Sequence, residues 1–171
     1  EKLDIKKELF VRLEAINSES SILTTNTSSI PVTQIASALK RPQRFAGLHF
    51  FNPAPIMKLV EIISGVNTDA ETIDTLKAFC KKLEKTAVLA KDSPGFIVNR
   101  VARHYYVEAL KLLEENVTDI QTIDALMKAS GFKMGPFELM DLIGVDTNFS
   151  VTTSIYNAFH QDSKFRPSLI Q

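Results

Sequence analysis

Arg44-Phe-Ala-Gly-Leu-His49-Phe-Phe-Asn-Pro-Ala-Pro55-Ile-Met-Lys-Leu-Val-Glu61-Ile62 reads as two strands either side of a proline-rich turn. Residues 45–51 and 58–63 carry the β-branched, aromatic and aliphatic side chains of strands, and Asn52-Pro-Ala-Pro55 between them suits a turn. Pro55 lies midway between His49 and Glu61. Folding back about that turn therefore brings the two opposite, or nearly opposite, one another on an antiparallel pair. Cross-strand neighbours sit about 4.5–5.5 Å apart at Cβ. A carboxylate at that distance can hold an imidazole N–H, fix its tautomer and stabilise imidazolium, which makes the histidine a competent general base. By residue type alone, a structural histidine on an apolar strand is the commoner case, so the pair is a candidate and not yet a site.

Outward from this hairpin, helix and strand patterns alternate. Ile5, Leu9, Leu13 and Ile16 recur at helical spacing over 3–16, and residues 21–25 form a short β-type run. Residues 30–39 read as a helix entered through Pro31. Thr68 and Glu71 have capping-box spacing ahead of a helix to about Leu83, and residues 86–90 form a fourth strand. After Asp92-Ser-Pro-Gly95 only helical patterns follow, over about 94–115, 119–130, 136–143 and 147–159, the second with Thr118 and Gln121 as its box and Gly131 as its stop. The last dozen residues read as loop. The fold class is thus an α/β layer followed by an all-α region, with domains expected at 1–91 and 92–171.

Composition excludes several functions. Twenty basic residues balance twenty acidic ones, which gives no electrostatic case for nucleic acid or an anionic membrane. No apolar run approaches the roughly 18 residues of a membrane span. The single cysteine, Cys80, permits no internal disulfide and fits a reducing, cytoplasmic setting. His49, His104 and His160 are too scattered to suggest a metal site, and the last two read as surface or capping residues. Residue 1 is Glu, leading straight into a helical pattern, as expected of a fragment.

The hairpin and three further motifs together resemble the L-3-hydroxyacyl-CoA dehydrogenases. The three are Asn26-Thr-Ser-Ser29, Lys91-Asp-Ser-Pro-Gly-Phe-Ile-Val-Asn-Arg100 and Met134-Gly-Pro-Phe-Glu-Leu-Met-Asp-Leu-Ile-Gly-Val-Asp146. They occur in family order along the whole chain. The resemblance implies the later part of a Rossmann-type NAD-binding domain followed by a helical domain through which the protein forms a homodimer. It implies NAD-dependent oxidation of (S)-3-hydroxyacyl-CoA to 3-oxoacyl-CoA, in β-oxidation or a related acyl-CoA pathway. It casts His49 as the base, Glu61 as its orienting carboxylate, Ser28 as a substrate contact beside the nicotinamide and Asn99 as a substrate contact. Glu1, Lys6, Ser28 and Asn52 match positions that face NAD.

Each residue has a plainer reading. Ser28 could cap the next helix, Asn99 could face solvent, Lys6 could be an ordinary solvated lysine and Asn52 a turn former. No glycine precedes Gly47, so the family's Gly-rich phosphate loop has no counterpart here, and this polypeptide alone is expected to bind NAD weakly. Two other functions stay open: a hydroxyacid or sugar-acid dehydrogenase of the same superfamily, and a non-catalytic dimerisation module.

Overall fold

The computed structural model describes residues 2–171. Glu1, expected to face NAD, lies outside the described residues. Two compact units are present, dividing after Ile97.

The first unit contains α1 (Leu3–Ile16), β1 (Leu23–Thr25), α2 (Val32–Ala36), β2 (Phe45–Phe50), β3 (Leu59–Ser64), α3 (Ala70–Lys82) and β4 (Thr86–Lys91). Its four strands lie in sequence order, with β1–β2 parallel, β2–β3 antiparallel and β3–β4 parallel. The mixed sheet matches the expected α/β layer. Side chains alternate across it. Phe45 and Ile63 meet Phe10, Val32, Ile35 and Phe96 on one face, whereas Ala46, Leu48, Val60 and Ile62 meet Ile73, Leu76 and Cys80 of α3 on the other. Gly47 is required where β2 passes α2 and β3. A Cβ there would stand 2.8 Å from Ile63 Cβ and 3.0 Å from Val32 Cγ2, closer than real side chains pack.

Several local expectations shift. Helix α1 spans the expected residues but buries a different stripe: Phe10 and Glu14 are buried while Ile5, Leu9 and Ile16 are exposed. The cap of α3 is Asp69, which accepts from Thr72 N–H, and not Thr68. Thr68 Oγ1 is otherwise engaged, donating to Phe45 O and accepting from Gly65 N–H. The first unit extends past Lys91 because residues 92–97 are tied back into it. Asp92 accepts from Val32 N–H and Thr33 N–H at the start of α2, and Ile97 N–H reaches β3.

The second unit is all helical: α4 (Val98–Glu114), α5 (Ile120–Ala129), α6 (Pro136–Ile143) and α7 (Val145–Ala158). Helix α4 begins later than Pro94 because Gly95 and Phe96 hold positive φ values of 73° and 48°, outside the helical region. Its buried face is Arg103, Tyr106, Val107, Ala109 and Leu110. Asp119, not Thr118, caps α5, accepting from Thr122 N–H. Asp124 caps α6 from a distance by accepting from Phe137 and Glu138 N–H. Among the described residues no helix is long and apolar enough to cross a membrane. His104 and His160 are both exposed.

Candidate active site

His49 and Glu61 are direct register partners on β2 and β3. They lie on the Phe45–Ile63 face, because both pairs occupy odd positions of alternating strands. His49 Nδ1 is 2.8 Å from Glu61 Oε2, and the two are 4% and 1% exposed, so the contact is screened from solvent. Glu61 Oε1 accepts a second bond, 2.9 Å from the Ile97 backbone N–H. A carboxylate that accepts from an amide on one oxygen leaves the other to accept from Nδ1–H. The tautomer follows: the proton sits on Nδ1, and Nε2 carries the lone pair.

That lone pair faces Ser28 Oγ at 3.0 Å. Ser28 stands on the loop between β1 and α2, and three anchors fix that loop. Asn26 Oδ1 accepts from Phe50 N–H, tying the end of β1 to the end of β2. Thr27 Oγ1 accepts from Ile30 N–H. Asp92 holds the start of α2. Ser28 therefore does not cap the helix it precedes. Its hydroxyl belongs to a chain running Ser28–His49–Glu61–Ile97. The imidazole is further confined by the edges of Phe51 and Phe96, with ring centroids 4.7 and 5.7 Å away.

The remaining expected residues are less tightly placed. Asn52 is exposed in the turn, joined to Pro53 by a cis peptide bond. Lys6 is half-buried on α1 and has a partner. Asn99 lies in the first turn of α4 in the second unit, half-exposed, and its side-chain amide bonds to no described residue. The residue-by-residue reading missed Asn26, Asp92, Phe96 and Ile97. An acid closing a strand before Ser-Pro-Gly is a signal that could have flagged Asp92. The Ile97 amide leaves no trace in residue type.

An imidazole whose Nε2 lone pair meets a hydroxyl, with a carboxylate at Nδ1, can take a proton from an alcohol and hold the resulting charge. Oxidising an alcohol also needs a hydride acceptor. His49 Nε2 and Ser28 Oγ, 3.0 Å apart, supply the proton acceptor and hydroxyl contact that such a reaction needs beside a hydride-accepting nicotinamide. Among the described residues no group of His, Cys, Asp or Glu is arranged to hold a metal ion.

Comparison with known proteins agrees with this geometry. Residues 1–93 match the family described as 3-hydroxyacyl-CoA dehydrogenase, NAD binding domain, and residues 95–171 match its C-terminal domain. The chain is 53% identical to the 3-hydroxyadipyl-CoA dehydrogenase of Escherichia coli (strain K12), covering 100% of this chain and 36% of that protein. It is 46% identical to the mitochondrial hydroxyacyl-coenzyme A dehydrogenase of Rattus norvegicus, covering 98% of this chain and 54% of that one. Among solved structures, the (S)-3-hydroxybutyryl-CoA dehydrogenase of Ralstonia eutropha superposes with a TM-score of 0.95 at 38% identity, over 99% of this chain and 60% of that one. The chain thus spans about a third to a half of the curated relatives it matches.

Proposed function

Since the chain belongs to the 3-hydroxyacyl-CoA dehydrogenase family, we propose that it carries the proton-abstracting centre for oxidation of an (S)-3-hydroxyacyl-CoA to a 3-oxoacyl-CoA. NAD supplies the hydride acceptor when bound. His49 Nε2 takes the proton of the 3-hydroxyl. Glu61, already accepting from Nδ1–H, stabilises the imidazolium as it forms and holds the ring in plane. Ser28 Oγ hydrogen-bonds the reacting oxygen and keeps it within reach of Nε2. Phe51 and Phe96 exclude water from the ring, so the proton has one acceptor. In the reverse direction imidazolium returns the proton to the carbonyl oxygen. Asn99 contributes a substrate contact, and Lys6 and Asn52 contacts to the cofactor.

The observation that supports this reading is the unbroken chain Ser28–His49–Glu61, with distances of 3.0 and 2.8 Å. A structural histidine would leave no reason for a hydroxyl to be fixed at its second nitrogen from a loop with three anchors. The test is His49→Gln in the full-length protein, assayed on 3-hydroxybutyryl-CoA with NAD. A loss of about 10²–10⁴-fold in kcat is expected; a rate near that of the unmodified protein rejects the assignment. The helical unit is proposed to pair two copies through its exposed apolar residues, Leu126, Leu142, Ile143 and Phe149 among them. Sedimentation of the full-length protein at micromolar concentration distinguishes that from a monomer. A cytoplasmic, reducing setting and a place in fatty-acid β-oxidation complete the proposal.

A further inference from the structure

Lys85 lies between α3 and β4, and its backbone is fixed on both sides. Its own N–H donates to Cys80 O at 2.9 Å, and the next amide, of Thr86, donates to Lys58 O at 2.8 Å where the β3–β4 pairing begins. Glu84 before it has φ of 55° and closes α3 in a left-handed turn. From this anchored position the half-buried side chain reaches the proline turn between β2 and β3. Nζ donates to Ala54 O at 2.5 Å, Met57 O at 2.8 Å and Pro55 O at 3.3 Å. An ammonium has three protons, and here all three are directed at carbonyls of one turn. Lys77, Lys111 and Lys164 by contrast pair with carboxylates on their own segments. Among the described residues no carboxylate lies within ion-pair distance of Lys85.

The turn needs such a fastening. Its own backbone bonds end on Pro53 O, which accepts from Ile56 N–H at 3.0 Å and Met57 N–H at 2.9 Å. Asn52, Pro53, Pro55, Ile56 and Met57 are exposed, so burial does not hold them. The β2–β3 pairing stops at Phe50 and Val60. His49 and Glu61 lie inside that pairing, and their contact does not depend on what happens beyond it. Asn52 lies outside it, on the stretch that Lys85 ties to the sheet.

We propose that Lys85 is a positioning residue for the oxidation: by fastening the proline turn it holds Asn52 in place for the dinucleotide. This rests on the dehydrogenase reading, in which Asn52 contacts the cofactor. Lysine suits the task because a compact charge with three rotatable donors can serve three carbonyls at once, and a charged donor makes the stronger bond. The effect falls on cofactor binding and not on proton abstraction, because the His49–Glu61 pair is set by strand register.

The test is steady-state kinetics of the full-length protein on 3-hydroxybutyryl-CoA with NAD varied. Lys85→Met is expected to raise KM for NAD about tenfold, the worth of one hydrogen bond, with kcat falling by much less than KM rises. Asn52→Ala is expected to raise KM for NAD to a similar extent. Lys85→Met added to Asn52→Ala is expected to change KM little further, because a residue that acts through Asn52 has nothing to position once that side chain is gone. A general loosening of the fold would show its full effect in both backgrounds. If the methionine variant does not fold, Lys85→Gln, a shorter neutral donor, is expected to raise KM severalfold. An unaltered KM for NAD in a folded Lys85 variant overturns the proposal. So does a Lys85 effect that persists undiminished beside Asn52→Ala. Either result leaves the dehydrogenase reading intact, whereas an unmodified protein that does not oxidise the thioester overturns both.

Discussion

Glu61 Oε1 lies 2.9 Å from the backbone N–H of Ile97, the last residue of the first unit. The carboxylate facing His49 is therefore held from behind by the main chain of a turn whose preceding residue, Phe96, has φ of 48°. A residue other than glycine in that conformation carries a cost that the surrounding structure must offset. Here it turns the next amide toward β3 and puts the Phe96 ring beside His49.

An ester in place of the Ile97 amide, made by incorporating the α-hydroxy analogue of isoleucine, removes that donor and leaves every side chain in place. In the full-length protein kcat is expected to fall about tenfold, the worth of one hydrogen bond to a charged group, with KM nearly constant. Steady-state kinetics check this. An unaltered kcat means that the amide does not support the carboxylate.

Asp92 clamps the start of α2 and so the Ser28 loop. Asp92→Ala is expected to cost about 1–2 kcal/mol of stability, the usual penalty for losing a helix cap. Asp92→Asn, which keeps one acceptor oxygen, is expected to recover about half. Urea unfolding measured by circular dichroism gives both values.

Gly47→Ala places a methyl group against Ile63 and Val32 in a fully packed layer. A loss of about 2–3 kcal/mol is expected, the cost of overpacking. A thermal midpoint unchanged from the parent would mean the strand can move aside.

Glu14 is buried, and burial alone would raise its pKa. Hydrogen bonds from Lys40 N–H at 2.9 Å and Arg41 N–H at 2.8 Å, with the Arg41 guanidinium beside them, outweigh that and hold it below the ordinary 4.5. A lowered folded-state pKa gives stability that is complete above the unfolded value and lost as pH falls through the folded one. Glu14→Gln is therefore expected to be less stable than the parent at pH 7, with the gap closing as pH drops below about 4.5. Urea midpoints across that range check the sign. A gap constant with pH contradicts it.

The strand pair was readable because its information is local. A proline turn flanked by equal spacings sets the register, and strand alternation then puts His49 and Glu61 on one face. Caps were readable only to within one residue. Thr68 and Thr118 have the right spacing, yet the adjacent Asp69 and Asp119 make the bonds. Helix faces were less so. Ile5, Leu9 and Ile16 repeat as a buried stripe should, but α1 packs through Phe10 and sinks the charged Glu14, whose partners lie 26 and 27 residues away. The Ser28–His49 bond, the Asp92 clamp and the burial of Arg103 likewise depend on which segments meet after the chain folds. Residue type marks Asp92 as a candidate at most, and neither type nor period names the segment each residue meets.

Cys80, packed at zero exposure between α3 and the sheet with its thiol pKa raised by burial, is the only cysteine of the chain. Thiols react as thiolates, so in the folded state this sulfur is both unreachable and protonated. Alkylating reagents can then label the chain only when α3 lifts from β2 and β3. The protein thus contains its own clock for opening of the layer that carries the His49–Glu61 pair, readable by mass without any added probe.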